Sequence, residues 1–287
     1  MKRVLITGAF GQLGEACSNL LDSNFHVIKS GLSSNDTATI LDITSKKSVK
    51  DFLDQHTPDI ILNLAAMTNV DGCEEKPEHA DNVNHKGVVN LCDDFNGHFI
   101  QISTDYVFNG EDGPYLEEDP LDPISVYGKS KLAAEKYLAG NNISHTIIRA
   151  NVLYSYSHKT KASFLKWVVK SLKNSKSINV VNDQWNNPTS TDSLADFINK
   201  IALSETFGLY HYADNGVMSR FEFAQLIAKV FGLDSDLIKP ILTSELDQIA
   251  SRPLKSGLST QKIENELLIQ PPNVKESLKS IYDTITS

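Results

Sequence analysis

Short continuous apolar runs alternate with helix-period segments along the first half of the chain. Val4-Leu5-Ile6 predicts a buried strand, and Gly11 to Leu21, with Leu13, Ala16, Leu20 and Leu21 on one side, predicts a helix. Val27-Ile28 and Thr39-Ile40-Leu41 predict the next two strands. Thr44 is placed to cap a helix that carries Val49, Phe52 and Leu53. After Pro58 the run Ile60-Ile61-Leu62 is continuously apolar, as a strand covered on both faces should be. A long helix follows from about Glu78 to Phe95, then a strand at Phe99–Ser103, a helix from Ser125 to Leu138 and a strand at His145–Arg149.

Strands and helices in strict alternation predict right-handed crossovers and an α/β fold, a doubly wound parallel sheet with helices on both faces. Ligands of such sheets bind beyond the carboxyl ends of the strands. Gly8, Asn63 and Thr104 each follow a strand and so belong to one rim. Beyond Arg149 the pattern loosens into helices at Phe164–Leu172, Ser193–Leu203 and Phe221–Phe231, a short strand at Ile178–Val181 and a further strand at Leu209–Tyr212. Pro240, Pro253, Pro271 and Pro272 divide the remainder. Residues 1–150 are expected to form the dinucleotide-type domain. Residues 151–287 are expected mainly to form a smaller substrate lobe, with later segments rejoining the sheet. There is no internal repeat and no low-complexity tract.

With 287 residues, 40% of them hydrophobic, the chain can bury a sizeable core. A net charge of -9 argues against nucleic acid or an acidic membrane as partner, and an anionic substrate would need a local cation. The cysteines Cys17, Cys73 and Cys92 lack C-x-x-C spacing and suit free thiols in a reducing compartment. Lys2-Arg3 leads straight into a strand, without the apolar stretch of a secretory signal, and no run reaches the ~18 residues of a membrane span. A cytoplasmic protein is expected; a homodimer is compatible with the sequence.

The turn Gly8-Ala9-Phe10-Gly11-Gln12-Leu13-Gly14 has its glycines at G-x-x-G-x-x-G spacing between a strand and a helix. Such a turn aims backbone N–H groups and a helix N-terminus at a diphosphate, and its third glycine brings helix against strand. An acid at the end of the second strand would hold an NAD ribose. Here the stretch is Lys29-Ser30-Gly31-Leu32-Ser33-Ser34, without a carboxylate, which favours NADP(H) while still admitting NAD(H). Asp42-Ile43, after the third strand, either flanks an adenine or merely starts a turn.

Tyr127 and Lys131 stand four residues apart on one predicted helix, hence on one face. A free phenol, pKa ~10, is a sluggish acid at neutral pH, and a nearby ammonium would lower that value. Thr104, after the preceding strand, supplies a hydroxyl for a substrate oxygen. Together these groups suit reversible hydride transfer between a nicotinamide and a carbonyl, with Tyr127 as the proton donor.

These motifs resemble those of the extended short-chain dehydrogenases/reductases, and within them the dTDP-4-dehydrorhamnose reductase family. The resemblance covers nearly the whole chain: Gly8–Gly14, Leu41–Thr44, Asn63–Asp71, Ser103–Phe108 with Gly110, Val126–Lys131 with Ala134-Glu135, Asp183-Gln184 with Pro188-Thr189, and Arg252-Pro253. It implies NADPH-dependent reduction of the 4-keto group of a 6-deoxy sugar nucleotide, dTDP-linked, with Tyr127, Lys131 and Thr104 catalytic. Gly8, Phe10, Gly11, Gln12, Leu13, Gly14, Asp42, Ile43, Leu64, Ala65 and Ala66 would line the cofactor, together with Tyr127 and Lys131. Thr104, Asp105, Tyr106 and Val152 would meet the sugar, and Arg252 would close the nucleotide-sugar site. The chain departs from the family where a tryptophan usually meets the sugar, here Val152, and at Ser155 and Met67, where a glycine and an aromatic residue are usual.

Sugar-nucleotide 4,6-dehydratases are similar but carry a glutamate at the position of Tyr106. 4-Epimerases share the Tyr–Lys pair but have a different loop before it. The regulatory β-subunits of methionine adenosyltransferase also resemble the chain and also lack the tryptophan, which implies a non-catalytic, NADP-binding alternative. The eight histidines are scattered, so no metal site is expected, and His85 is expected at a surface or in packing. Lys166, Lys170 and Lys173 describe a solvated helix face; Lys159 and Lys161 are candidates to attract a diphosphate. Trp185, before an Asn-Asn-Pro turn, either stacks on a ligand or packs between lobes.

Overall fold

The computed structural model describes residues 1–32, 39–156 and 163–286. Ser33, Ser34, Lys159 and Lys161 lie outside them. Seven parallel strands form the central sheet: β1 (Arg3–Thr7), β2 (His26–Gly31), β3 (Thr39–Ile40), β4 (Ile60–Asn63), β5 (His98–Thr104), β6 (His145–Ala150) and a later strand, Gly208–His211. The later strand pairs with β6, and β1 lies between β2 and β4. From β1 the sheet grows outward in both directions, through β2 and β3 on one side and β4, β5 and β6 on the other, and this switch in strand order opens a crevice at the carboxyl ends.

Helices α1 (Gln12–Leu21), α2 (Lys46–His56), α4 (Pro77–Asp81), α5 (Gly87–Cys92) and α6 (Val126–Ala139) follow the sequence pattern, whereas α3 (Val70–Glu75) is not predicted from it. The cap of α2 is Ser45, one residue later than expected, because Asp42 takes both the amide and the hydroxyl of Thr44. The long helix expected at 78–95 is α4 and α5 joined by a π turn, Asn82–Lys86. On one face of the sheet Leu13, Cys17 and Leu21 of α1 pack with Leu194, Ile198 and Ile201. Those three belong to a later helix, Thr191–Ser204, so residues 191–211 return to the sheet. On the other face Val49, Phe52, Leu91 and Leu138 close the core.

The lobe has its own core, in which Leu165 and Val168 of α7 (Phe164–Lys173) meet Phe223 and Ile227 of α9 (Arg220–Phe231), α8 being Thr191–Ser204. Leu278 of the last helix, Val274–Thr286, joins them. Pro240 lies within a strand, Ile238–Ile241, that pairs with Ile178–Val181; a two-stranded ribbon tolerates proline because one edge needs no donor. Cys17, Cys73 and Cys92 are free and buried, and burial pushes the thiols of Cys73 and Cys92 up to about 11 and about 12, which leaves them unreactive.

His98 at the start of β5 is buried. The hydroxyl of Thr146 donates to the Thr206 carbonyl at 2.5 Å, so the 2.7 Å contact with His98 Nε2 makes that nitrogen the donor. Nδ1 is left buried with no partner for an added proton. Burial accordingly lowers the pKa to about 4. The unfolded chain then binds more protons below the ordinary histidine value, so this contribution to stability is complete above ~6.5 and declines toward 4, by about 2 kcal/mol at pH 5. Urea unfolding of wild type and His98→Gln at pH 7.5 and pH 5 tests this. The gap between the two proteins should narrow by about that amount at the lower pH; a gap independent of pH would refute it.

Candidate active site

The carboxyl ends of β1, β4, β5 and β6 open into a groove of about 800 Å³. A second hollow of about 950 Å³ lies at the amino ends of the strands. Its lysines are already paired, Lys2 with Glu205, Lys46 with Asp93 and Lys50 with Asp54, so among the described residues it offers no free lysine to an anionic ligand.

The turn after β1 forms one end of the groove. A Cβ on Gly14 would lie 2.5 Å from the carbonyl oxygen of Gly8, so only glycine lets α1 start this close to β1. Gly11 caps α1 without a side-chain hydrogen bond, whereas α2, α6, α7, α8 and α9 all open with a serine side chain bonded to their own amides. The positive end of α1 is therefore left for an external anion. Gly8, Phe10, Gln12, Leu13, Asp42 and Ile43 line this end, with Gly31 and Leu32 where an acid would mark NAD preference. Asp42 starts the turn, accepting both bonds from Thr44, and also lines the groove.

Leu64, Ala65 and Ala66 continue the wall after β4. Their backbone is set by a polar ladder across the strand ends. Thr7 donates to Asn63 at 2.6 Å and accepts the amides of Leu64 and Ala65 at 3.1 Å, while Asn63 donates to Gln101 at 2.8 Å. Asn84, in the π turn, binds the Met67 amide at 2.8 Å and donates to Ser130, which in turn donates to the Tyr127 carbonyl at 2.8 Å. Sequence reasoning passed over Thr7, Gln101 and Asn84; a buried polar residue inside an apolar run was the available signal for the first two.

Thr104 ends β5 and Tyr127 begins the second position of α6. A Cβ on Gly128 would collide with the Tyr106 carbonyl, so the glycine after the tyrosine is what lets α6 meet the 105–107 turn. Thr104, Asp105, Tyr106, Tyr127 and Lys131 all line the groove, with the Tyr106 and Tyr127 rings edge to face at 5.6 Å. Thr104 donates to Asp105 Oδ1 at 3.0 Å and accepts the Tyr106 amide at 3.2 Å.

The spacing that puts Lys131 and Tyr127 on one helix face does not by itself turn the ammonium to the phenol in this structure. Lys131 reaches down to donate to the Ile102 carbonyl at 2.6 Å, and burial brings its own pKa to about 8 against the pull of Glu135. Burial raises the Tyr127 phenol above its ordinary value, opposed by the Thr104 hydroxyl beside it. Sharing a helix face is not the same as facing one another, because the lysine stem is long enough to be claimed by the strand below. Burial also raises Asp105 to about 6, against the neighbouring Ser256 and Thr104 hydroxyls and Arg220.

Val152 lines the groove with φ +42°, a left-handed backbone that a β-branched residue adopts only under constraint, at a cost of about 1–3 kcal/mol. Its carbonyl accepts the Thr189 amide at 3.1 Å, and the preceding Asn151, buried, donates to the Ser256 carbonyl at 3.2 Å. Arg252 is not among the residues lining the groove. Its guanidinium grips Asp71 through two bonds of 2.7 and 2.9 Å, a fork-to-fork geometry that commits it to holding the 249–253 segment against α3. Arg220, which sequence reasoning missed, lines the groove instead. Trp185 is half-exposed on the lobe, outside the groove lining. His85 contacts Asp81 at 2.9 Å.

A doubly wound sheet with a glycine turn at its crevice and a Tyr/Lys pair one helical turn apart is the layout of an extended short-chain dehydrogenase/reductase. Residues 1–287 match the RmlD substrate binding domain family throughout, and the chain belongs to that family. It is 35% identical to the spore coat polysaccharide biosynthesis protein SpsK of Bacillus subtilis (strain 168), over 97% of this chain and 96% of that one. It is 33% identical to the dTDP-4-dehydrorhamnose reductase of Aggregatibacter actinomycetemcomitans, over 98% of each. The crystal structure of dTDP-4-dehydrorhamnose reductase from Bacillus anthracis in complex with NADP superposes with a TM-score of 0.91 at 30% identity, covering 99% of both chains. Methionine adenosyltransferase 2 subunit beta of Rattus norvegicus is 31% identical over 92% of this chain and 82% of its own length. No described helix is long and apolar enough to cross a membrane.

Proposed function

We propose that this chain is an NADPH-dependent reductase of the 4-keto group of a dTDP-linked 6-deoxy sugar, with Tyr127 as the proton donor. The observation that carries the reading is the convergence of Thr104, Tyr127 and Lys131 on the same groove as the uncapped end of α1. The reductase relatives and the NADP complex of the similar reductase support it. Gly31, in place of an acid, supports NADP(H) over NAD(H).

When bound, the reduced nicotinamide supplies a hydride to the carbonyl carbon. Thr104 would turn its hydroxyl proton from Asp105 to the carbonyl oxygen, and Tyr127 would give that oxygen its proton, so the ketone becomes an alcohol. A raised phenol pKa suits this direction, since the proton is retained until an alkoxide, a stronger base, develops. Lys131, charged below about 8, binds the cofactor ribose and restores charge balance as the phenol ionises. Asp105 and Tyr106 position the sugar. Val152 leaves room where a tryptophan would narrow the site.

The test is NADPH consumption with a panel of dTDP-4-keto-6-deoxy sugars, followed by product analysis. Stereospecific reduction of one sugar supports the reading. The relative among methionine adenosyltransferase β-subunits and the missing tryptophan favour a second reading, a regulatory NADP-binding subunit. Retained NADP binding with no ketosugar reduced would favour that reading and sink the first.

A further inference from the structure

We propose that Arg220, and not Arg252, is the residue that takes the diphosphate of the nucleotide sugar. This rests on the nucleotide-sugar reading above and extends it to a residue outside the family motifs.

Among the described groove residues only Lys131 and Arg220 are lysine or arginine. Lys131 is engaged by the Ile102 carbonyl deep beside Tyr127. The guanidinium of Arg220 makes no hydrogen bond and no ion pair among the described residues, and its Nε is buried without a partner. A buried donor left unpaired carries a desolvation cost that an incoming anion removes. Its surroundings place the charge, and the neighbouring carboxylate, Asp105, acts on it only through space, with no hydrogen bond between them and Asp105 Oδ2 likewise buried without a partner. Ser219 and Glu222 form a capping box that sets the first turn of α9, the Arg220 amide donates to Gln184 at 3.0 Å, and the guanidinium lies 5.7 Å from the centre of the Phe164 ring. Arginine forks bind phosphate oxygens in pairs, and a ring beneath holds the fork without competing for its donors.

Position along the groove favours the substrate over the cofactor. Arg220 acts on the Asp105 and Tyr106 side chains, which belong to the sugar end, whereas the cofactor diphosphate has the α1 end. In a chain of net charge -9 an unpaired cation in the main crevice also supplies the local attraction that an anionic substrate requires. Arg252, with both forks on Asp71, has little left to offer.

The test is calorimetric titration of NADP-loaded wild type, Arg220→Met, Arg220→Gln, Arg220→Lys and Arg252→Met with dTDP, UDP and thymidine. Arg220→Met and Arg220→Gln should weaken binding of the preferred diphosphate about 10- to 100-fold, with thymidine and NADP affinities within about threefold; Arg220→Lys should recover part of the loss. Arg252→Met should lower the melting temperature more than the affinity. Equal loss for thymidine and dTDP, loss of NADP affinity instead, a larger effect at Arg252, or no diphosphate-dependent binding by wild type would each overturn the proposal. Turnover is read separately, so wild type that binds dTDP through Arg220 yet reduces no ketosugar refutes the reductase reading and leaves this one standing.

Discussion

Tyr127→Phe is expected to lower kcat for ketosugar reduction about 10²- to 10⁴-fold while NADPH affinity changes by less than about threefold. The substitution removes one hydroxyl and keeps the ring that packs edge to face on Tyr106, so the groove retains its shape and loses only its proton source. Because the hydroxyl acts as the carbonyl becomes an alkoxide, the loss should fall on kcat and kcat/KM together rather than on KM. The pH profile supplies a second readout. Lys131, with its pKa lowered to about 8 by burial, is charged below that value and neutral above it. Wild-type activity should therefore hold from about pH 7, clear of the Asp105 titration near 6, to about 8 and decline above it, as the lysine loses its proton and with it the ability to stabilise an ionised phenol. Thr104→Val should cost less, about 10- to 100-fold, since it removes an orienting bond and leaves the donor in place. Stopped-flow and steady-state measurement of NADPH oxidation decide the matter. A Tyr127→Phe enzyme with kcat within about threefold of wild type would exclude the phenol as the donor.

What the sequence disclosed was whatever adjacency or periodicity encodes. Ile60-Ile61-Leu62 is a buried central strand, as a short, mostly β-branched apolar run between a proline and a polar rim suggests. The glycine turn, the hydroxyl at 104 and the pair at 127 and 131 lie within local motifs, and each reaches the same groove. Contacts between distant segments were not encoded in this way. Periodicity finds α9 but not which end enters the crevice, so Arg220 was invisible, while Arg252 was assigned to the site although its partner lies 181 residues away at Asp71. The direction of Lys131 depends on the Ile102 carbonyl, 29 residues upstream, which no helix-face rule contains. Two-residue strands such as Leu153–Tyr154 and Thr189–Ser190 are too short to show alternation, yet their pairing fixes the strained backbone at Val152.

Glu135→Ala is expected to be the most destabilising single change near the site, by about 3–5 kcal/mol, with a fall in melting temperature of roughly 6–15 °C. Glu135 stands one turn beyond Lys131 on α6, and its carboxylate receives Arg149 of β6 through Nε at 3.1 Å and NH2 at 2.7 Å, and the Ser103 hydroxyl of β5. Arg149 is among the largest fully buried side chains. Its remaining nitrogen donates to the Glu117 carbonyl at 3.1 Å, and the guanidinium lies 5.1 Å from the centre of the Phe108 ring. Removing the carboxylate leaves that guanidinium charged, dry and without its main partner, which costs more than the lost attraction alone. Arg149→Met should be of similar size, because it leaves Glu135 in the same position. The double variant Glu135→Leu/Arg149→Met should recover more than half of the summed loss, since no buried charge is then left alone. Catalysis should suffer too, as Glu135 fastens the helix bearing Tyr127 and Lys131 to β6 through Arg149 and to the strand bearing Thr104 through Ser103. Equilibrium urea unfolding of the three variants measures the coupling. Single variants that each cost less than about 1 kcal/mol, or losses that simply add in the double variant, would mean that the helix is held by apolar packing and the ion pair is incidental to it.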